Sequence, residues 1–186
     1  MEEVFRKNAF FAAFGSGTGE KIAMKKHTTI RMMTFSGILA ALYVAVTLLT
    51  SSFAYGPIQF RIAEALSVFC CFEPLAVPGV VLGCLISNFF SPVSVLDVFI
   101  GTAATVIASL LMTRCKKAWL MPIPNVAANG LLIGALLAFT VTPDAFWEGF
   151  WVFCAEVALG ELAVMCVLGV PLFLWLKKSN VLKKPV

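Results

Sequence analysis

The sequence predicts an all-α membrane protein, and three observations support this fold class. First, 60% of the 186 residues are hydrophobic and only 13% are charged, a composition outside the range of water-soluble domains. Second, the apolar residues occur in long blocks, and a bilayer requires about 20 apolar residues for each spanning helix. Third, the basic residues collect between alternate blocks and at the ends of the chain. We therefore predict a bundle of six transmembrane helices with both termini in the cytoplasm.

Turn-forming residues divide the apolar blocks. Proline disfavours helical geometry in the residue before it, so Pro74 marks the end of the second block. Ser94, followed three residues later by Asp97, predicts a capping box at the start of the fourth helix. Pro171 predicts a kink in the last helix. The predicted spans are 32–49, a shorter block between Arg61 and Pro74, 75–90, 95–112, 126–139 and a final helix that begins after 142–144 and runs to about 176.

Charge placement provides an independent test of this topology. Basic residues that flank transmembrane helices are retained in the cytoplasm. Of the 14 Lys and Arg residues, 13 precede the first span, follow the fourth or follow the sixth, which places them on one predicted face. Only Arg61 falls on the opposite face, beside an external loop that contains Gln59. The net charge of +4 therefore reflects a multi-pass orientation in a bacterial cell membrane, and no base-reading motif indicates nucleic-acid binding.

This topology divides the chain into three regions. Residues 1–29 are predicted to form a cytoplasmic N-terminal extension, 30–178 a six-helix transmembrane domain, and 179–186 a basic cytoplasmic tail. No Ser-rich or Gly-rich linker interrupts the central region, so we expect one membrane domain rather than two.

The sequence offers little that could support catalysis or metal binding. Its six cysteines lack metal-ligand spacing and lie mainly in apolar blocks, where cysteine behaves as a small core residue. The single histidine, His27, precedes the first span and is predicted to be solvated. A Ser/His/Asp arrangement is therefore excluded, and we predict no catalytic residue, no metal site and no cofactor.

A small set of polar residues interrupts the apolar blocks. These are Arg61, Glu64, Asn88, Asp97, Asn129, Glu156 and Glu161. An ionised side chain at membrane depth costs about 2.5–3.5 kcal/mol, so such residues usually face a bundle interior or a cavity. Together with Gln59 in the external loop, they are the candidate ligand-binding residues. The predicted orientation places Asn88, Asp97 and Glu156 in the outer half of the membrane and Asn129 and Glu161 nearer its middle, which is consistent with a cavity that opens outward.

Several of these residues have a structural role as an alternative. Arg61 and Glu64 are three residues apart on one helical face, so they could pair with each other. Asp97 could act only as a helix-start residue. Asn88 and Asn129 could be hydrogen-bonding contacts between helices.

Glu156 and Glu161 are the hardest of the polar residues to explain structurally. No basic residue lies between Trp147 and Leu176 to neutralise them. Their five-residue separation turns the second about 140° from the first on an ideal helix, so they need not share one pocket. We expect at least one of them to bind a ligand, while the other could satisfy a neighbouring helix.

The first helix carries a stripe of small residues. Gly37, Ala41 and Ala45 repeat every four residues, a pattern that permits close approach of another helix. Two interpretations remain open at this point. The stripe serves internal packing, or it docks against a separate membrane subunit.

Four segments of the sequence resemble the queuosine-precursor transporter family, QueT. They are 56–66 (GPIQFRIAEAL), 78–88 (PGVVLGCLISN), 96–101 (LDVFIG) and 160–162 (GEL). Each piece is short, but their order and placement make the resemblance specific. It extends over roughly residues 34 to 176, and the extension at 1–29 has no counterpart in it.

The resemblance implies a substrate-binding subunit, or S component, of an energy-coupling factor (ECF) vitamin transporter. The implied partners are a transmembrane coupling protein, met by the small-residue stripe, and two cytoplasmic ATPases. The subunit itself would not hydrolyse ATP, and uptake would follow when it topples in the membrane. The implied cargo is a 7-deazaguanine base. A carboxylate can accept the adjacent N–H donors of such a base, and an amide can satisfy its carbonyl and ring nitrogen.

Two other functional classes are alternatives to this one. An intramembrane enzyme would use Glu64, Glu156 or Glu161 as general acid or base, but no histidine or metal-ligand spacing supports it. A purely structural membrane subunit is disfavoured by the carboxylates in apolar helices. Within the transporter class, an S component for another vitamin is the remaining alternative.

Overall fold

The computed structural model describes Ile30 and residues 33–54, 60–91 and 95–179. The chain divides into two compact units, Met1–Phe35 and Ser36–Val186, and the fold described below is that of the second unit. Several predictions lie outside the described residues. They concern the extension 1–29, Gln59 in the external loop, Ser94 of the capping box, and the tail beyond Ser179.

Every regular element in the described ranges is helical. In chain order these are α1 (Met33–Leu49), α2 (Ser51–Ala54), a 3₁₀ helix (Ile62–Cys71), α3 (Ala76–Asn88), α4 (Val95–Met112), α5 (Pro122–Val141), α6 (Phe146–Val164), a π-helical segment (Met165–Gly169) and α7 (Val170–Ser179). A short 3₁₀ turn, Pro143–Ala145, leads into α6. The predicted all-α class is confirmed, and the fourth predicted span, 95–112, coincides with α4.

Three helices in the described part are long and apolar enough to cross a membrane. They are Val95–Met112, Pro122–Val141 and the continuous run Pro143–Ser179. Met33–Leu49, Ile62–Cys71 and Ala76–Asn88 are apolar but shorter. The architecture is therefore compatible with a membrane helical bundle, while six crossings and the orientation of the termini stay predictions.

The second predicted span is a buried 3₁₀ helix. Its ten residues extend about 20 Å, because a 3₁₀ helix rises about 2.0 Å per residue, and this is less than the apolar thickness of a bilayer. It packs against α3, α4, α6, α7 and the π-helical segment. It has three residues per turn, so Glu64, Ser67 and Cys70 align in one row, and all three are buried, as is Arg61 just before the helix. This element therefore presents a line of polar groups to the centre of the bundle.

The fifth helix begins earlier than predicted. We expected it to start at Val126, after the prolines Pro122 and Pro124, but α5 includes both. The first residues of a helix have no intrahelical partner for their N–H groups, so proline is tolerated there. Because α5 begins at Pro122, Asn125 is a buried helical residue of the bundle.

The last helix departs from α geometry just before Pro171, close to the predicted kink. The Val170 N–H donates to the Met165 carbonyl, the five-residue spacing of a π-helix. Proline at 171 cannot donate to the carbonyl four residues earlier, and its ring crowds that carbonyl, so the preceding turn widens. The helix then continues through α7 to Ser179.

Glycines allow two close helix contacts. A Cβ added to Gly83 of α3 would lie 2.6 Å from Tyr43 Cβ, and one added to Gly79 would lie 2.6 Å from the Ser36 carbonyl oxygen, so α1 packs on α3 through these glycines. A Cβ added to Gly134 of α5 would lie 2.8 Å from Cys154 Cα in α6. Small residues four apart permit such close approach of membrane helices.

The surface of the bundle is apolar and has tryptophans toward both ends of the last helix. Trp147 and Trp151 are exposed at the start of α6, and Trp175 is exposed in α7. From Trp151 to Trp175 the helix rises about 36 Å, comparable with a bilayer that includes its interfaces. Interfacial tryptophan is typical of membrane proteins. Exposed basic residues lie near the Trp175 end, namely Arg114, Lys116, Lys117, Lys177 and Lys178.

The predicted orientation can be tested by cysteine accessibility. Ser52 and Ser179 are both exposed, and in a six-crossing topology they lie on opposite sides of the membrane. We expect a membrane-impermeant maleimide to label Ser52→Cys but not Ser179→Cys in intact cells, and both after permeabilisation. The control is the same chain without the added cysteine, because Cys166 is exposed. Labelling of both positions from outside would contradict six crossings.

Glycine packing predicts a position-dependent stability effect. Gly134→Ala places a methyl group against Cys154 backbone atoms that cannot move aside, and overpacking of this kind costs about 1–3 kcal/mol. The matched control is Gly37→Ala, where an added Cβ meets nothing within 4 Å. Thermal melting in detergent should show a lower Tm for Gly134→Ala and an unchanged or slightly raised Tm for Gly37→Ala. Equal melting of both variants would show that the α5 and α6 contact is loose.

Candidate functional site

A fully buried carboxylate, Glu64, lies at the centre of the bundle. The Tyr43 hydroxyl of α1 donates to Glu64 Oε1 at 2.7 Å. The Thr105 hydroxyl of α4 lies 3.1 Å from the same oxygen, and Asn125 Nδ2 of α5 donates to Oε2 at 3.3 Å. Three helices therefore supply donors to one side chain of the 3₁₀ helix, and both carboxylate oxygens have partners.

Local sequence explains how these donors reach Glu64. Gly83 lets α1 approach α3 closely at Tyr43, so the phenol extends into the core. The Ser67 hydroxyl, one 3₁₀ turn after Glu64, donates to the Glu64 main-chain carbonyl. Its oxygen then accepts from Asn125 Nδ2 at 3.1 Å. The carboxylate and the Asn125 amide are thus held by the same short helix.

Arg61 pairs with Asp97 in a second polar cluster. Arg61 Nη2 lies 3.3 Å from Asp97 Oδ1, and the two side chains are only 5% and 1% exposed. Ser91 Oγ donates to Asp97 Oδ2 at 2.6 Å. Asn88 lies between them, with Nδ2 donating to the Asp97 carbonyl at 3.2 Å and Oδ1 3.5 Å from Arg61 Nη2. The ion pair of Arg61 is therefore with Asp97 rather than with Glu64, and Asp97 is more than a helix-start residue.

A glycine makes room for this cluster. A Cβ on Gly101 would lie 2.7 Å from Asn88 Nδ2, 3.0 Å from Asp97 Oδ1 and 3.5 Å from Arg61 Nη2. Any side chain at this position of α4 would displace the ion pair. The LDVFIG segment therefore supplies both the acid and the space around it.

Asn129 of α5 and Glu161 of α6 lie at matching positions of these two packed helices. Asn125 Nδ2 contacts Met165 Sδ at 3.5 Å, and Gly130 approaches Ala158. In this antiparallel register Asn129, one turn after Asn125, lies opposite Glu161, one turn before Met165. Both side chains are fully buried. Arg61 and Glu64 are the charged neighbours of Glu161.

Some buried polar atoms of this region have no hydrogen-bond partner within the described ranges. They are Arg61 Nη1, Thr102 Oγ1, Asn125 Oδ1, both side-chain polar atoms of Asn129, and both carboxyl oxygens of Glu161. A buried polar group left without a partner costs about 1–3 kcal/mol. Most of these atoms belong to three neighbouring positions on α5 and α6, so the site is equipped to bind a ligand that offers several N–H donors.

The other candidate residues lie elsewhere. Glu156 is half-buried on α6, on a different face from Glu161. Gly37, Ala41 and Ala45 are exposed on α1, away from the face that packs on α3. Within the described part of the chain, no group of three His, Cys, Asp or Glu residues could hold a metal ion.

Four residues of the polar core were not predicted from the sequence. Tyr43, Ser67 and Thr105 were overlooked because hydroxyl residues are common in membrane helices and usually bond to their own backbone. Asn125 was overlooked because it stood between a proline and the expected helix start. The signal that could have identified it is the four-residue spacing of Asn125 and Asn129.

Comparison with known proteins assigns the chain to a family of transporters. The family model described as QueT transporter matches residues 33–178. The protein named Queuosine precursor transporter QueT from Lactococcus lactis subsp. cremoris (strain MG1363) is 34% identical over 128 residues, which are 68% of this chain and 62% of that relative. The chain thus spans about three fifths of the relative's length. No solved structure matches the chain. Because the family model covers most of the sequence, the chain belongs to the QueT transporter family.

Proposed function

We propose that this chain is the substrate-binding S component of an ECF-type importer that takes up a 7-deazaguanine precursor of queuosine. One observation carries the proposal. Glu161 and Asn129 lie at matching positions of α6 and α5, both are fully buried, and their polar atoms have no partner in the described part of the protein. Family membership and the name of the Lactococcus relative support transport of a queuosine precursor.

The unpartnered atoms suit a deazaguanine base. Such a base offers a ring N–H and an exocyclic amine side by side, and a carboxylate can accept both in a bidentate contact. Glu161 has two free oxygens for this purpose. The amide of Asn129 can satisfy a carbonyl or ring nitrogen, and Arg61 Nη1 is a further donor.

The candidate acids differ in whether their carboxylate oxygens already have partners within the protein. Both oxygens of Glu64 already accept hydrogen bonds, and Asp97 is paired with Arg61 and Ser91. Glu156 is half-buried on another face of α6. We therefore assign cargo contact to Glu161 and a supporting role to Glu64. The same occupancy of Glu64 disfavours the alternative of an intramembrane enzyme that uses it as a base.

The small-residue stripe is proposed as the docking surface for the transmembrane coupling protein. Gly37, Ala41 and Ala45 are all exposed, and an added Cβ at Gly37 meets nothing within 4 Å. The inner face of α1 packs on α3 instead, through Ser36 and Tyr43. A flat, exposed row of small residues permits another membrane helix to approach closely. Two cytoplasmic ATPases would then act through the coupling protein.

Glutamine substitution tests the cargo contact. Glu161→Gln keeps the shape of the side chain but replaces an acceptor oxygen by a donor, so it opposes an N–H of the cargo. A charge-assisted hydrogen bond contributes about 1.5–3 kcal/mol, and we expect the Kd for a 7-deazaguanine precursor to rise about tenfold to a hundredfold. The measurement is titration calorimetry on the purified subunit in detergent.

The matched control for this test is Glu156→Gln, which makes the same chemical change on another face of α6. It should alter the Kd less than about threefold. Melting curves on the same samples separate loss of binding from loss of folding. Unchanged affinity in folded Glu161→Gln would remove Glu161 from the site.

Bulky substitution tests the docking surface. Ala41→Trp should abolish uptake in cells that contain the coupling protein and ATPases, because a large ring separates helices that must touch. Ligand binding by the isolated subunit should stay unchanged, since Ala41 is exposed. Leu131→Trp is the control, because Leu131 is exposed on α5 outside the stripe. Equal loss of binding and uptake in Ala41→Trp would assign the stripe to internal packing.

A further inference from the structure

The side chain of Asn125 is held in one orientation by acceptors on a single face. Its Nδ2 lies 3.3 Å from Glu64 Oε2, 3.1 Å from Ser67 Oγ and 3.5 Å from Met165 Sδ. An amide nitrogen has two hydrogens to donate, so Glu64 and Ser67 can use both. Rotation of the amide by half a turn would place its oxygen against the Glu64 carboxylate. The Glu64 carboxylate therefore holds the Asn125 amide with its nitrogen toward Glu64 and its oxygen away from it.

The chain of hydrogen bonds around Ser67 reinforces this polarity. The Ser67 hydroxyl donates to the Glu64 main-chain carbonyl, so its oxygen is left as an acceptor for Asn125. The Glu64 carboxylate is in turn held by the Tyr43 and Thr105 hydroxyls. The donor and the acceptor of each hydrogen bond in this network are thus fixed. At Asn125, the amide nitrogen is the donor.

The oxygen of Asn125 is consequently left free beside the proposed cargo site. Asn125 is fully buried, and its Oδ1 has no partner among the described residues. Asn129 lies one turn further along the same face of α5, and Glu161 lies one turn before Met165, which Asn125 contacts. Three positions that carry unpartnered acceptor atoms are therefore adjacent.

We propose that Asn125 is a specificity-determining residue whose Oδ1 accepts an N–H of the exocyclic amine of the cargo, and that Glu64 is the positioning residue that holds it in this orientation. The inference rests on the proposed function. Glu161 has two oxygens, enough for the ring N–H and one amine hydrogen, so a neighbouring acceptor is required for the second amine hydrogen. The site then selects bases that carry this amine and rejects analogues without it, because such analogues leave the Asn125 oxygen buried and unpaired.

The experiment compares two cargo analogues across matched variants. The probes are 7-deazaguanine and 7-deazahypoxanthine, which differ only in the exocyclic amine. The measured quantity is the ratio of their Kd values on the full chain in detergent. We expect the native chain to prefer 7-deazaguanine by about tenfold or more. Asn125→Ala should reduce this preference about threefold to tenfold, whereas Ser67→Ala, which leaves the Glu64 contact intact, should keep it.

Glu64→Gln gives an independent test that leaves Asn125 in place. Tyr43 and Thr105 still donate to the new amide oxygen if it takes the place of Oε1, and the amide nitrogen then faces Asn125 in place of Oε2. This arrangement would turn the Asn125 amide, and the preference should fall as it does in Asn125→Ala; Glu64→Leu, which removes both acceptors, should lower it as well. A merely structural role of either residue would weaken both probes equally and leave the ratio unchanged. Melting curves verify folding, and Asn125→Ser takes the place of Asn125→Ala if that variant does not fold.

The outcomes separate the two proposals. If the native chain binds neither probe, the proposed cargo is wrong and this inference fails with it. If the native chain prefers 7-deazaguanine and both folded variants keep the native ratio, the proposed function stands and the role of Asn125 is overturned.

Discussion

The buried Glu64 carboxylate is the interaction on which the rest of the bundle depends. A carboxylate in an apolar interior is strongly disfavoured unless hydrogen bonds replace its water. Tyr43, Thr105 and Asn125 supply those bonds from α1, α4 and α5. None of these helices can move away from the 3₁₀ helix without exposing the acid to hydrocarbon. The polar centre thus fixes the arrangement of helices whose outer surfaces, being largely apolar, would specify it poorly.

The 3₁₀ geometry is what makes this centre possible. On an α-helix, residues three apart drift by about 60° around the axis, so Glu64 and Ser67 would diverge. At three residues per turn they share one row, and both contact the Asn125 amide. Ten residues of 3₁₀ helix is longer than usual, and the close packing of five other segments around it compensates for its poorer hydrogen bonds.

Sequence patterns predicted the helical class, the bounds of α4 and the burial of Arg61, Glu64, Asn88, Asp97, Asn129 and Glu161. These depend on local hydrophobicity and on the high cost of polar groups in lipid, both of which are visible in one sequence. The 3₁₀ helix was not predictable, because a short apolar block has no period that separates it from an α-helix. Asn125 was not predicted to be helical because a sequence does not distinguish proline at the first helical positions from proline in a turn. The partner of Arg61 depended on the tertiary fold, since Asp97 lies 36 residues away.

Two carboxyl groups of the same core therefore have opposite energetic roles. Glu64 accepts hydrogen bonds from protein donors on both of its oxygens, so it stabilises the empty bundle. Glu161 has no partner within the described ranges, so burying it destabilises the empty bundle by an amount that a ligand can recover. A ligand that binds only the folded state adds its binding free energy to stability. In the proposed function, stability and affinity are linked through this one side chain. The free energy lost by keeping Glu161 unpaired in the empty protein would be regained only with a cargo that has matching N–H groups.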